Sequence, residues 1–347
     1  MNVLFIMDKR VNAGSIHAVA NHIKAGDDLG HTIALYGHAD PRYDGVRFST
    51  DIEFFDRVVF IIESGLRWMS GLRVPRVLEA VPRERRAILD ADGMHNPLIV
   101  IDGYDRNFAS EPERATWLRH YELLADRILQ PTTDVRVSGV RAVPFYGYDL
   151  TRRARASSKR FDIVHVGHNW WRWREVSSCL LPAIERIRNQ IGEVCFVGSW
   201  WDHVPAGAVD ENREMAFGID PERFRRSRIM VRQAVPYTDV ITTMSDGRVN
   251  VMTQRPLFRH LKLLTSKYFE IFAADTIPLV MLDVERAEEV YGSAGPELAL
   301  DGDVERKLLD ALAKPEKYAE LADVVRAHLA THHSYHRRVA ELVEALA

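Results

Sequence analysis

The sequence predicts an α/β protein made of two similar domains that face each other across a cleft. Three observations carry this expectation. Residues 2–7, NVLFIM, and residues 161–166, FDIVHV, are short unbroken apolar runs, the pattern of strands buried on both faces of a parallel sheet. Each run opens a series in which apolar strands alternate with helix-length amphipathic segments. The length, 347 residues, suits two ordinary domains, and 46% hydrophobic residues supply enough apolar material for two cores.

The first domain is expected over 1–150. After the strand 2–7, a loop containing Gly14 leads into a helix over 16–23, which Gly30-His31 ends before a strand at 32–36. Strand, helix, strand is a βαβ unit, whose crossover should be right-handed. A strand at 57–62, a helix around 75–81, a strand at 86–89, a helix over 111–124, a strand at 127–130 and the run 140–145 complete the domain. Residues 151–160, TRRARASSKR, hold five basic residues and no apolar periodicity. They fit a solvated linker, or else a strip that contacts phosphate or lipid. The second domain, over 161–330, restarts the pattern: a helix over 176–190, strands at 193–197 and 249–253, a helix from Ser266 and a strand at 277–282. Residues 331–347 form a last helix that packs back towards the first domain. His332 and His336 have the i,i+4 spacing of a zinc-binding helix face, but with no further ligands the segment fits a helix start capped by Ser334.

Composition excludes several classes. Lys and Arg total 46 against 49 Asp and Glu, and the net charge of −3 gives no global field for nucleic acid or an anionic membrane. Cys179 and Cys195, alone and inside apolar segments, read as reduced core residues. Val3–Met7 is too short for a signal segment, and no run approaches the ~20 apolar residues of a membrane helix, so a cytoplasmic enzyme is expected. Neither opening strand is followed by G-x-G-x-x-G, and no P-loop is present, which counts against NAD, FAD and P-loop chemistry.

Ligands of open α/β sheets bind outside the carboxyl ends of the strands. In residues 264–282, LTSKYFEIFAADTIPLVML, Thr265 and Ser266 are expected to cap a helix whose first turn carries Lys267. Backbone N–H groups there, with the Lys267 ammonium, suit a diphosphate. Glu270 shares that face, and its carboxylate suits the two hydroxyls of a ribose. A plain N-cap with a surface ion pair fits the same residues.

In the first domain, Asp90-Ala91-Asp92-Gly93-Met94-His95-Asn96 follows the strand 86–89. Three readings stand: a D-x-D site for a divalent ion, an acidic turn that caps backbone N–H groups, or an acceptor loop. In the third, Asp92 or His95 takes the acceptor's proton and Asp90 contacts the acceptor. The loop 102–107, with Asp105, either lines the same pocket or lies on the surface. His168, Trp170, Trp171 and Trp173 form an aromatic loop after a strand, suited to stacking on a base or sugar or to packing an interface.

The run Phe269-Glu270-Ile271-Phe272-Ala273-Ala274-Asp275-Thr276-Ile277-Pro278-Leu279-Val280 resembles the donor-site signature of GT-B glycosyltransferases, of the group-1 type related to spore-maturation (CgeB-like) proteins. Other pieces fall in that family's order: 162–169 with Arg172 and Arg174, 194–198 followed by Trp200 and Trp201, 235–237, 248–251 and 333–339. Two positions depart from the pattern: Lys262 stands where many retaining members carry Glu, and Asp275 replaces the usual Gly. The resemblance implies two Rossmann-like domains facing across a cleft. The second would bind a nucleotide-diphosphate sugar such as a UDP-sugar, with Thr265, Ser266, Lys267, His168, Arg172 and Arg174 around the donor and Glu270 on the ribose. The first would bind the acceptor through Gly14, His17, Asp90 and Asp105, with Asp92 and His95 as catalytic candidates. The implied acceptor is a hydroxyl of a small molecule or glycan rather than nucleic acid, with no metal and no cofactor beyond the sugar nucleotide. Two rivals remain: a sugar-nucleotide epimerase or hydrolase on the same fold, and a non-catalytic nucleotide-binding protein.

Overall fold

A computed structural model describes residues 1–7, 14–63, 74–154, 158–206 and 216–347. Residues 151–160, predicted as one segment, are therefore described except for 155–157.

The first domain is built on a seven-stranded parallel sheet of order β3-β2-β1-β4-β5-β8-β9. Its strands are β1 (Asn2–Ile6), β2 (Thr32–Tyr36), β3 (Phe48–Ser49), β4 (Arg57–Ile62), β5 (Arg86–Asp90), β8 (Arg127–Gln130) and β9 (Val140–Ala142). Central strands β1 and β4 are buried from their second residue on, as β-branched and aromatic runs covered on both faces should be. The helix Gly14–Asp28 covers one face with Ile16, Val19 and Ile23. The helix Glu111–Leu124 starts at Ser110, whose side chain accepts from Glu113 N, and buries Trp117, Tyr121 and Leu124 at spacings of four and three.

The second domain repeats the plan with five parallel strands in the order β12-β11-β10-β13-β14. These are β10 (Phe161–Val166), β11 (Val194–Val197), β12 (Ile229–Arg232), β13 (Gly247–Met252) and β14 (Ile277–Val280). In both sheets the chain leaves the first strand to one side and later returns to its other side. That puts a topological switch point between β1 and β4, and another between β10 and β13, the place where such sheets bind ligands. The helix Tyr335–Leu346, capped by Ser334, packs on Gly14–Asp28, and Leu346 O accepts from Arg57 Nε at 2.7 Å. No helix among the described residues is long and apolar enough to cross a membrane.

The basic segment 151–160 is exposed at five of its seven described positions, as expected of a solvated linker, but it is anchored rather than free. Arg152 lies over the Tyr237 ring at 4.6 Å and donates to Tyr237 O, Ala154 pairs with Ala274, and Lys159 Nζ donates to Ser245 O, so the described parts are docked on the second domain. Its basic side chains found carbonyl and aromatic partners there, which a composition-based reading does not anticipate. Cys179, expected in the core, is exposed on a π-helical turn (Val176–Leu180), while Cys195 is buried in β11. Asp105, read as part of a loop, lies in an antiparallel hairpin of β6 (Val100–Ile101) with β7 (Asp105–Arg106).

Candidate active site

The carboxyl ends of β10, β11 and β12 and the start of the helix Lys267–Ala273 enclose a cleft of about 680 Å³, closed on the first-domain side by Gly14. That volume suits a ligand the size of a nucleoside diphosphate. Its walls are backbone-rich: Gly167 and His168 after β10, Gly198 and Ser199 after β11, and Ala234 to Tyr237 after β12. Gly198 has φ 155°, and a Cβ there would lie 2.0 Å from Gly167 O. Only glycine lets these loops cross so closely. Asn169, fully buried, holds them by donating to Trp200 O and Gly218 O, both at 2.8 Å.

Two cations and one carboxylate face this cleft. Arg172 donates to His168 O at 2.8 Å; burial lowers its pKa to about 10 against the opposing effect of Glu175, so it is charged at neutral pH. Lys267 Nζ lies 2.9 Å from Glu270 Oε2. Burial works to raise the Glu270 pKa, but the Lys267 ammonium, with Tyr237 and Ser266 nearby, outweighs it and holds the carboxyl below the usual range. Lys267, Tyr237 and Ser266 all gather on Glu270, although none of them meets full hydrogen-bond alignment with its oxygens. His168 is pushed down to about 4 by burial, Arg172 and Lys267, and its Nδ1 accepts from Ser199 N at 3.1 Å. It is therefore neutral, with its proton on Nε2.

The first domain meets this wall through the start of the helix Gly14–Asp28. A Cβ at Gly14 would lie 2.8 Å from Ser266 Oγ. His17 stacks on Tyr237, centroids 3.8 Å apart and planes at 13°. Behind it, Ser15 Oγ and Tyr146 OH donate to Glu63 at 2.7 and 3.0 Å, and the charges of Glu63 and Asp92 both help burial hold the Tyr146 pKa high. Glu63 sits just past β4, at the first sheet's switch point. The strand-end rule that led to Asp92 applies equally to Glu63, so its signal was present in the sequence.

The structure thus gathers Gly14, His168, Arg172, Ser266, Lys267 and Glu270 around one cleft, with His17 at its edge through Tyr237. Ser266 does not cap the helix: its backbone is itself helical (φ −54°, ψ −32°) and its side chain makes no capping bond. Thr265 contributes a carbonyl that accepts from Tyr268 N, and does not line the cleft. Arg174 turns to the first domain, donating to Asp102 O at 2.9 Å and lying 5.0 Å from the Tyr104 ring centroid.

Asp90 is fully buried and saturated, accepting from Met94 N, His95 N, Tyr121 OH and Gln130 Nε2, so it organises its turn and is not free for an acceptor. Asp105 is likewise spent. Its carboxylate takes Arg255 Nε at 2.8 Å and Leu257 N at 2.7 Å, tying the hairpin to the second domain. His95 stacks on Tyr121 and faces a separate pocket with Arg114 and Glu122, away from the cleft. Of the aromatic loop, Trp171 packs between the domains against Tyr104 and Arg255, while Trp170 stays 37% exposed. Among the described residues no group of three or more His, Cys, Asp or Glu side chains is placed to hold a metal ion.

Comparison with known proteins agrees with this fold. Residues 172–344, about half of the chain, match the family described as glycosyl transferase-like. No curated protein matches the chain. Among solved structures, an α-glucosyltransferase in complex with UDP and a 13-mer DNA superposes with TM-score 0.64 at 12% identity, over 100% of this chain and 99% of that one. The phage T4 β-glucosyltransferase with UDP and Mn²⁺ gives 0.58 at 11% identity, over 100% and 99%. The sucrose-phosphate synthase of Thermosynechococcus elongatus gives 0.63 at 10% identity, over 99% and 98%. The chain thus has the GT-B fold of these glycosyltransferases, and its residues 172–344 carry a glycosyl transferase-like domain.

Proposed function

We propose that the protein transfers a sugar from a UDP-sugar to a hydroxyl of a small molecule or glycan. The observation that carries this reading is Glu270: a buried, ionised carboxylate beside a lysine, with both oxygens lacking aligned donors, at the edge of a cleft of nucleotide size. A vicinal diol donates two hydrogen bonds to one carboxylate, and the ribose of a nucleotide supplies that diol. Lys267 and Arg172 then lie where the diphosphate leaves, and fixed positive groups act most strongly on the charge that develops there.

As the bond from the sugar's anomeric carbon to the diphosphate breaks, a bond to the acceptor oxygen forms and the acceptor loses its proton. Asp92, grouped with Tyr146 and Glu63 at the first sheet's carboxyl edge, is the base in this reading, and His95 is not. The T4 relative is seen with Mn²⁺, but this cleft does not fit a protein-held divalent ion. Among the described residues the carboxylate lining it, Glu270, is engaged by Lys267, and the other charged groups there are cations. The α-glucosyltransferase above is seen with DNA, whereas the near-balanced charge of this chain favours a smaller acceptor. The group-1, spore-maturation type of membership rests on the ordered segments 162–169 to 333–339.

The test is calorimetric titration of nucleoside diphosphates, then mass spectrometry of products from the best donor with and without hydroxyl acceptors. Preference for UDP and a glycosylated acceptor is expected. Turnover of donor alone, with an epimerised or hydrolysed sugar, would replace this reading by the epimerase. Binding without any turnover would leave a nucleotide-binding protein.

A further inference from the structure

Beneath the cleft, between the carboxyl ends of β10 and β13, lies a second, much smaller cavity of about 10 Å³, room for a single water-sized group. It shares Val166, Gly167, Arg172 and Lys267 with the cleft above, so the two adjoin under the cations. Its polar lining comes from His165, Asn250 and Thr253, which are 1%, 1% and 4% exposed. His165 Nε2, Asn250 Nδ2 and Thr253 Oγ1 are each buried and lack a hydrogen-bond partner among the described residues. Three orphaned polar atoms on residues that line one small space are unusual, because each is costly to bury unpaired.

The chemistry of the three atoms narrows what belongs there. His165 Nδ1 lies 2.8 Å from Val251 O, and a carbonyl can only accept, so Nδ1 carries the proton. Burial keeps the ring neutral, which leaves Nε2 as a lone-pair acceptor. Asn250 Nδ2 can only donate, and the Thr253 hydroxyl can do either. An anion would meet the Nε2 lone pair. A divalent cation would find Lys267 and Arg172 beside it, and an apolar group would leave all three atoms unpaired. A hydroxyl donates to Nε2, accepts from Asn250, and exchanges the remaining bond with Thr253.

We propose that this cavity is a binding site for one neutral hydroxyl group beneath the diphosphate cations, supplied either by a resident water or by the transferred sugar. The sugar source rests on the UDP-sugar reading above; the water source does not. In either case the hydroxyl joins β10 and β13 under Lys267 and Arg172, and fixes the floor on which those cations stand.

Crystal structures of the protein alone and with UDP-glucose test this. An oxygen within hydrogen-bond distance of His165 Nε2, Asn250 Nδ2 and Thr253 Oγ1 is expected in the free protein. An empty cavity there, or an anion in it, overturns the proposal, and this arm needs no nucleotide to bind. In the complex, a retained water identifies the resident source and a sugar oxygen in its place identifies the other. Thr253→Val separates the two in solution. Under the sugar source, affinity for UDP-glucose falls at least tenfold while affinity for UDP is unchanged; under the water source, the two shift together. Absence of UDP binding by the unaltered protein would instead count against the proposed function and leave the free-protein result standing.

Discussion

A carboxylate buried beside an ammonium stays ionised, and Glu270, held by Lys267 at the edge of the cleft, has further lone pairs to offer a diol. Glu270→Ala should therefore weaken UDP binding by about 1.5–3 kcal/mol, the worth of hydrogen bonds to a charged group, and lower Tm as well, since Lys267 loses its buried partner. Equal UDP affinities by calorimetry would remove Glu270 from the ribose. For Asp92→Asn the expected effect is on turnover: kcat lower by about 10²–10⁴ with UDP affinity intact, and His95→Ala close to wild type. The opposite ranking in steady-state kinetics would move the base to the His95 pocket. At this scale the sequence was legible where partners are near in the chain. Lys267 and Glu270 are three residues apart on one helix, so their pairing could be read directly. Asp90 and Asp105 could not be judged that way. Their saturation depends on Tyr121, Gln130 and Arg255, which are 31, 40 and 150 residues distant. An acidic loop reads the same whether its carboxylates face a cleft or are spent on the fold.

The elements that shape the cleft are the strand-end loops of the second sheet. The chain passes from Val197 into Gly198 at φ 155°, with the neighbouring loop so close that a Cβ would sit 2.0 Å from Gly167 O. Gly198→Ala must push the loops after β10 and β11 apart, disturbing Gly167, His168 and Ser199 together. The expected result is loss of most UDP affinity along with a lower Tm, since strain at such a position costs on the order of 1–3 kcal/mol. A variant with unchanged Tm and UDP affinity would show that the loops can separate freely. Strands and long helices were legible because their patterns are local: the unbroken apolar runs of β1 and β10, and the helix-length segment 111–124. Elements defined by tertiary contact were not. The segment 151–160 is polar and basic, and only its contacts with Tyr237, Ser245 and Ala274 make it part of the second domain.

Across the whole molecule, five histidines are held neutral by burial, and this sets how the fold responds to acid. His17, His22 and His168 are lowered to about 4, and His165 and His333 to about 3, with desolvation the largest cause in each case. The unfolded chain takes up protons near the ordinary value of 6.5, while the folded chain resists until its lowered pKa values are reached. Their contribution is therefore fully present above about pH 6.5 and is lost as pH falls towards 4, reaching its floor once the folded form is also protonated. Each fully buried ring adds about 1.4 kcal/mol per pH unit to the slope in that window. These residues span both domains, from the helix Gly14–Asp28 to β10 and the end of the helix Pro315–His332, so acid acts on the whole assembly. His22 isolates the effect. It packs among Phe5, Phe145 and Tyr335, with centroids at 5.7, 4.9 and 5.4 Å, and its one hydrogen bond goes to Ala18 O within its own helix. His22→Phe keeps the aromatic packing and removes the titration. Urea unfolding of this variant between pH 6 and 4.5 should show a slope shallower by about 1.4 kcal/mol per pH unit than wild type, with similar stability at pH 7.5. Parallel slopes would mean that His22 takes up its proton at the same pH in the folded and the unfolded chain.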